Sequence, residues 1–215
     1  HNANEFVSID GTVANTPSDT LQVKLNDLEL NYLLSLVKLE GISFGGKLSG
    51  YINAADLYTK TPYLDGDIYA KDFTFCDGYM GDTHARAHWN QDSARLEFLA
   101  DVQENSRHTA HIDGLVDIAD NELWLDIDAD SLNAAFLNSM LSSFMSDIKG
   151  HASGHITVGG KMNAIDLNGT LLADASMKLT PTNVTYQLKD SIRLTPGRIL
   201  FDDITAYDNR RQKAI

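Results

Sequence analysis

Histidine is the side chain of this sequence best suited to bind a transition metal ion, and the chain has seven of them. Two pairs lie four residues apart in segments that alternate like β-strands: His84 with His88, and His151 with His155. Residues four apart on a strand share a face but stand ~13 Å apart, which is too far for one ion. His108 and His111 fall on opposite faces of their predicted strand. The histidine spacing therefore predicts no metal site.

Three aspartates in one predicted strand are the next candidates for chemistry. Asp126, Asp128 and Asp130 share a face, and neighbouring carboxylates on that face stand ~6.6 Å apart. This spacing suits the acid and base of a glycosidase, or a calcium site. A solvated outer face on a very acidic protein explains the same pattern, and we favour this second interpretation.

Motifs for nucleophilic or phosphate chemistry are absent from the sequence. No G-x-S-x-G motif occurs, and the single cysteine, Cys76, has no histidine near it in sequence. The Gly-Gly-Lys tripeptides at 45–47 and 159–161 lack the rest of a phosphate-binding loop, so we interpret them as turns. The sequence therefore predicts that the protein is not an enzyme and uses no cofactor.

The charge balance restricts the choice of partners. The net charge is -13 over 215 residues, so cations are too few to neutralise the phosphates of a nucleic acid. The same charge argues against adsorption to anionic lipid headgroups, but not against binding of uncharged acyl chains. No run of 18 apolar residues is present, so the sequence predicts no membrane-spanning helix.

The sequence contains two similar halves. Five segments recur in order: FVSIDGTV with TAHIDGLV, LQVKLNDLEL with LWLDIDADSL, KLSGYINA with HASGHITV, LDGDIYAKDF with LNGTLLADAS, and ARLEFLADVQENSRHTAHI with GRILFDDITAYDNRRQKAI. Their offset is nearly constant; Gly11 and Gly114, for example, differ by 103 positions (114 − 11). Unrelated β-rich segments also share such glycine patterns, but not a constant offset. We therefore predict two β-rich repeat units, 1–108 and 109–215, in one continuous domain that is a piece of a longer protein.

Most of the predicted strands have one apolar and one polar face. In 173–178, alanine and methionine alternate with aspartate, serine and lysine, and Leu171 continues the apolar side. A sheet of such strands must curl to close its apolar side, or face a second sheet. Because the unit repeats, we predict a mainly β fold: an elongated, curled antiparallel sheet with a lengthwise apolar groove and one amphipathic helix per repeat. The predicted groove-lining residues are Leu123, Leu125, Ile127, Leu171, Ala173, Ala175, Met177, Leu188, Ile199 and Phe201.

The predicted helix of the second unit begins at a change of rhythm. Strand-like alternation in 123–130 gives way to apolar residues at spacings of three and four from Leu132 to Ile148. The corresponding segment of the first unit is NYLLSLVKL. Two interpretations stay open: the helix covers part of the groove, or it is an ordinary core helix of an α+β domain. Its predicted groove-covering residues are Phe136, Met140, Phe144 and Met145.

A series of glycine and apolar motifs runs through the second unit: G-x-x-x-G-x-I, then L-x-G-x-L, a strand rich in threonine and tyrosine, I-x-F, and a closing aspartate and alanine. The residues in these positions are Gly150, Gly154, Ile156, Leu167, Gly169, Leu171, Val184, Tyr186, Ile199, Phe201, Asp208 and Ala214. This pattern resembles the C-terminal region of the TamB family, a subunit of the translocation and assembly module of diderm bacteria, in its Bacteroides-like version. The first unit matches more loosely.

The resemblance implies a location, a ligand and a partner. Proteins of this kind are anchored in the inner membrane, span the periplasm to the outer membrane and are similar to AsmA-like bridge-type lipid carriers. The implied fold is a β-taco, whose hydrophobic groove carries phospholipid or fatty-acid acyl chains. The implied partner is a BamA-like outer-membrane barrel protein, with which the module assists the assembly of outer-membrane proteins. No catalysis is implied.

Two other functions fit the same sequence. A repeat-built structural or adhesive β-scaffold would have a fully packed interior and no ligand. An assembly factor would use its sheet edge to template the strands of client barrels. Exposed sheet edges also lead us to expect an edge-mediated homodimer.

Overall fold

The described part of the chain forms one open, curled antiparallel sheet. A computed structural model describes residues 6–12, 20–34, 43–56, 63–75, 78–117, 119–140, 142–143, 145–161, 164–200 and 206–208. Within these ranges the strands β1 to β12 lie side by side in chain order, and β13 pairs with β11. The predicted mainly β, curled antiparallel sheet is confirmed.

The strands β1 to β12 follow one another along the sheet in chain order. At ~4.8 Å per strand, the path from β1 to β12 measures about 50 Å along the sheet. The strands are β1 (Phe6–Gly11), β2 (Thr20–Glu29), β3 (Phe44–Ala55), β4 (Tyr63–Phe75), β5 (Gly78–Asn90), β6 (Arg95–Glu104), β7 (Arg107–Asp117), β8 (Glu122–Asn133), β9 (Met145–Lys161), β10 (Ala164–Leu179), β11 (Val184–Thr195), β12 (Arg198–Leu200) and β13 (Ala206–Asp208).

Both halves of the sheet repeat one order of elements. In each half, two strands precede a short helical segment, and further antiparallel strands follow it. Both second strands also carry a bulge at the same place, between Leu25 and Leu28 in β2 and between Ala129 and Leu132 in β8. The predicted boundary at 108/109 falls near the start of β7, directly after the hairpin turn that joins the halves.

The hairpin between β6 and β7 is closed by a turn whose conformation suits its two residues. Its two turn residues, Asn105 and Ser106, both have positive φ, at 52° and 64°, as a tight two-residue hairpin turn requires. The two Gly-Gly-Lys tripeptides, in contrast, were wrongly predicted as turns. Residues 45–47 lie in β3 and residues 159–161 lie in β9, where the missing side chains leave room for neighbouring strands.

The prediction of one amphipathic helix per repeat is not confirmed. In the second unit the helical segment is a 3-10 helix, Ala134–Phe136, followed directly by α2, Leu137–Met140. In the first unit the described helix α1 is Leu30–Leu34. Phe144, predicted on the helix, lies outside the described residues.

Met145, predicted to be helical, is a strand residue. Met145 and Ile148 both lie in β9 and are buried. Between them β9 has one residue more than β10, a bulge at Asp147, whose φ is 55°. A bulge changes the same-face spacing of a strand from two residues to three. The spacing of three that predicted a helix is therefore produced here by a bulged strand.

Candidate functional site: the apolar face of the sheet

The apolar faces of the strands are aligned across both repeat units. Opposed residues in the register of neighbouring strands share a face, so each row of partners can be followed across the sheet. One row consists only of apolar residues from β1 to β11: Val7, Leu25, Gly50, Ile68, Ala85, Ala100, Ile112, Ile127, Ile156, Gly169 and Leu194. The next row on the same face is also apolar: Ile9, Val23, Ile52, Gly66, Ala87, Phe98, Gly114, Leu125, Val158 and Leu167.

The apolar face is packed most closely in the second unit. Leu171 and Leu188 are each 3% exposed, and they belong to one cluster of side chains from β9, β10 and β11. Residues of β8, among them Leu125 and Ile127, pack against this cluster while remaining half-buried. The buried members of the cluster are Ala152, Ile156, Val158, Leu171, Ala173, Leu188, Ile192 and Leu194.

The first unit has its own smaller clusters on the same face. Leu25, Leu48 and Ala70 form one, built from β2, β3 and β4. Met80 and Val102 belong to another, which also includes Ala110 of β7 and Leu132 of β8 and so joins the two units. The apolar face therefore continues across the junction between the repeats.

The structure brings together most of the predicted groove-lining residues. Six of them lie in the second-unit cluster or against it: Leu125, Ile127, Leu171, Ala173, Met177 and Leu188. Leu123 is half-buried opposite Val116, and Ala175 is buried opposite Leu188, in the same sheet. Ile199 lies in β12, at the end of the sheet, and Phe201 lies outside the described residues.

Gly154 shows how strands approach each other closely on this face. Its φ is 145°, a conformation that residues with a side chain rarely adopt. A Cβ at Gly154 would also collide with the carbonyl oxygen of Thr170 in β10. The equivalent Gly50 in the first unit has a φ of 144°, so both units use the same local bend.

The short helical segment of the second unit covers one end of the apolar face. Asn138 of α2 holds it there, because its side chain accepts from the main-chain N–H of Ile148 over 2.7 Å and donates to that residue's carbonyl over 3.0 Å. Ala134 of the 3-10 helix forms a buried cluster with Met145 and Ile148 of β9. Phe136 and Met140, predicted to cover the groove, lie in these two short helices.

The opposite face of the sheet carries a ladder of histidines and aspartates. One register row contains, in order, His84, Asp101, His111, Asp128 and His155, one from each of β5 to β9. His111 Nδ1 lies 2.7 Å from Asp101 Oδ1, and His155 Nδ1 lies 2.9 Å from Asp128 Oδ1. His84 pairs with Asp67 in the neighbouring row, at 2.9 Å.

Two of these pairings shift pKa values: that of His111 with Asp101, and that of His155 with Asp128. The hydrogen bond with Asp101 raises the pKa of His111 above its usual value. The same bond, with a second from His108, lowers the pKa of Asp101. The hydrogen bond with Asp128 and the charge of Asp126 raise the pKa of His155. The carboxylates beside them therefore favour the protonated rings of His111 and His155.

The prediction that His108 and His111 fall on opposite faces is wrong. The register of β6 and β7 shifts between Val102 and Gln103, so β7 has one extra residue, Thr109, at this point. The bulge places both rings beside Asp101, with His108 Nε2 at 3.3 Å from Asp101 Oδ1. Sequence spacing alone gave no signal of it, because the bulge depends on pairing with β6.

Two groups on this polar face have the residue types of a metal site. In each group, one ligand atom per residue lies within 4.8 Å of the others. The groups are Asp101 with His108 and His111, and Asp126 with Asp128 and His155. The paired aspartates that the sequence suggested thus meet a histidine from the neighbouring strand β9, while Asp130 lies 3.7 Å from Arg107 instead.

Comparison with protein-family models, curated proteins and solved structures identifies no relative. None of the three finds a match. The resemblance to the TamB family therefore stays a proposal that depends on the glycine and apolar motifs. Among the described residues, no helix is long and apolar enough to cross a membrane.

The polar face also contains a hollow of about 840 Å³. Trp124, Leu99 and Leu115 are among its lining residues and alternate with charged residues such as Arg86 and Asp126. The guanidinium carbon of Arg95 lies 5.2 Å from the centre of the Trp124 ring, a cation–π contact. The polar face is therefore not uniformly hydrophilic, although the continuous apolar rows belong to the other face.

Proposed function

We propose that this chain is part of a TamB-like periplasmic protein, in which the apolar face of the sheet carries acyl chains of phospholipids between the inner and outer membranes. One observation supports this most directly: two adjacent rows on one face contain only apolar residues through ten or eleven consecutive strands. A packed domain needs apolar faces, but it does not need them aligned in one direction across a duplicated unit.

The energetics of such a face suit a mobile ligand. Each methylene group removed from water contributes ~0.8 kcal/mol, so a chain of about 14–16 carbons gains on the order of 10 kcal/mol before ordering costs. Neighbouring positions along the rows offer similar aliphatic side chains and glycines, so the binding energy changes little as the chain moves. The charged headgroup would remain outside the groove, in water.

The membrane context of the proposal depends on the resemblance. A TamB-like protein would be anchored in the inner membrane, lie in the periplasm and meet a BamA-like barrel protein at the outer membrane. Support for outer-membrane protein assembly belongs to the same proposal. The strand β1, which pairs only with β2 among the described strands, offers an edge for a client strand.

Photo-crosslinking from adjacent positions tests the lipid proposal. A photoreactive phenylalanine analogue replaces either Phe98, on the apolar face, or Leu99, which is 40% exposed on the polar face. Both variants are incubated with vesicles that contain radiolabelled phospholipid, and the crosslinked lipid is counted after delipidation. We expect crosslinks from position 98 at several times the yield from position 99. Equal yields, or none at position 98, would contradict lipid binding on this face.

A ligand-free structural or adhesive scaffold is the second candidate. The close packing of the second unit favours it, because Leu171 and Leu188 are already buried by their own neighbours. Lipid extraction of the purified protein distinguishes the two functions. Co-purified phospholipid or fatty acid, and uptake of a fluorescent fatty acid, are expected for the carrier; a lipid-free protein that takes up none favours the scaffold.

A further inference from the structure

One group on the polar face combines two imidazoles with a carboxylate. Asp101 is in β6, and His108 and His111 are in β7, on either side of the bulge at Thr109. Thr109 itself is buried and donates from its hydroxyl to the carbonyl of Val102 over 3.2 Å. The bulge is thus held on the inner side of the sheet, while both histidines point to the outer side.

We propose that Asp101, His108 and His111 bind a divalent transition metal ion of the zinc class. Two histidine nitrogens and one carboxylate oxygen form a ligand set that Zn²⁺ accepts, with solvent completing the coordination. This inference concerns the polar face and does not depend on what the apolar face carries.

The two distances to Asp101 fit such an ion after small movements, and the ligand atoms of His108 and His111 lie within 4.8 Å of each other. Ligand atoms around a tetrahedral Zn²⁺ stand about 3.3 Å apart. His108 Nε2 and Asp101 Oδ1 are already 3.3 Å apart, and His111 Nδ1 must move away from Asp101 Oδ1, now at 2.7 Å, by about 0.6 Å. All three side chains are between 35% and 49% exposed, so rotation about their own bonds can supply that movement and water can reach the ion.

A carboxylate also lies behind one of the two imidazoles. If Nδ1 of His111 binds the metal, its Nε2 faces Asp113 Oδ2 at 3.6 Å. A carboxylate that accepts a hydrogen bond from the second ring nitrogen fixes the ring orientation and raises the basicity of the ligand nitrogen in many zinc sites, and Asp113 would have to approach by about 0.5 Å to do so. Asp113 is therefore a positioning residue in this proposal. The group of Asp126, Asp128 and His155 is a weaker candidate because it supplies only one imidazole.

Competition with a chromophoric chelator measures Zn²⁺ binding by the purified chain. We expect one tight site per chain in the original protein. Loss of a supporting carboxylate typically weakens metal affinity by about 10–100-fold, and we expect Asp113→Asn to weaken Zn²⁺ affinity by about that factor. His111→Gln and His108→Gln remove a ligand, so each should weaken the affinity by more. His155→Gln is the matched control, since it removes a histidine–aspartate pair from the same face, and its affinity should be unchanged.

A second readout keeps the test independent of folding defects. Co²⁺ bound by two imidazoles and a carboxylate has visible absorption bands, which should be present in the original protein and in His155→Gln and absent from the His108→Gln/His111→Gln double variant. Circular dichroism checks that the sheet persists in each variant. Failure to bind Zn²⁺ at millimolar concentration, or unchanged affinity in the double variant, would overturn the proposal.

Discussion

The main-chain N–H of Ser131 donates a hydrogen bond to the side-chain oxygen of Ser153 over 2.9 Å. Ser131 has a φ of 72° and lies in the bulge of β8, and Ser153 lies in the neighbouring strand β9. The first unit has the same contact between Asp27 and Ser49, over 3.0 Å. The two units therefore share not only a strand order but the hydrogen bond that satisfies a bulged N–H group.

Loss of this hydroxyl should destabilise the sheet. We expect Ser153→Ala to lower the free energy of unfolding by about 1–3 kcal/mol, because a part-buried N–H donor loses its acceptor. Urea unfolding followed by circular dichroism measures it. Ser191→Ala, at an exposed position of β11, is the control and should stay within about 0.5 kcal/mol. If both variants lose the same amount, the contact does not stabilise the bulge.

A charged substitution should destabilise the protein at one of two adjacent leucines in β10 and leave its stability nearly unchanged at the other. Leu171 is 3% exposed and Leu172 is 55% exposed, on opposite faces. Leu171→Arg places a guanidinium within the second-unit cluster, and we expect it to cost more than about 3 kcal/mol of stability. Leu172→Arg should change stability by less than about 0.5 kcal/mol. Thermal and urea unfolding of the pair measure the difference.

Ala175→Asp is a smaller change than Leu171→Arg and places a carboxylate on the same apolar face. We expect this variant to fold but to block the passage of acyl chains along the face. A complementation or lipid-transfer assay reports the effect once circular dichroism shows that the sheet is intact. Normal transfer by a folded Ala175→Asp variant would contradict an acyl-chain path along this face.

Much of the sheet was predictable because strand periodicity is a local property. Alternation in 171–178 identified which residues of β10 are buried, and the constant offset of the two halves predicted that the strand order repeats. The helix prediction failed at Met145 and Ile148 for a physical reason. A bulge at Asp147 gives a strand the three-residue spacing of a helix, and a bulge depends on the partner strand rather than on the local sequence.

The polar face was less predictable than the apolar face. The distance along one strand between His84 and His88, or between His151 and His155, describes contacts within that strand only. Cross-strand neighbours decide the actual contacts, and these depend on register. His111 meets Asp101 from β6, ten residues away, and His155 meets Asp128 from β8, so only a register prediction could have found them.

The ladder should make stability depend on pH through His155. Its ring faces Asp126 and Asp128 of β8, its main chain pairs with Thr170 of β10, and the hydrogen bond with Asp128 raises the pKa of His155 above 6.5. A raised folded-state pKa stabilises the protein fully below the unfolded value, about 6.5, and this contribution disappears as pH rises through the folded-state pKa. His155→Gln should therefore lower the unfolding midpoint at pH about 5.5 and change it little at pH about 8.5.

Removing the acceptor gives a matched test of the same pair. Asp128→Asn should reduce the same pH-dependent part of the stability and leave only the contribution from the charge of Asp126. Added salt should reduce the effect in the original protein, because the pair is exposed. Urea midpoints measured across the pH range give both comparisons. A loss in His155→Gln that is equal at both pH values would show that the ring contributes by packing and not by charge.

The edge strand β1 should promote association between chains. Ile9 is 66% exposed, and the repeat relates it to Ile112 of β7, which is half-buried because β6 pairs with that strand. Among the described strands β1 pairs on one side only, and a strand with an unpaired edge is a template for another strand. We expect Ile9→Lys to reduce concentration-dependent association in sedimentation velocity, while Ser8→Lys, with the same charge change on the polar face, should reduce it less. Equal sedimentation of the original protein and both variants as monomers would show that β1 does not pair between chains.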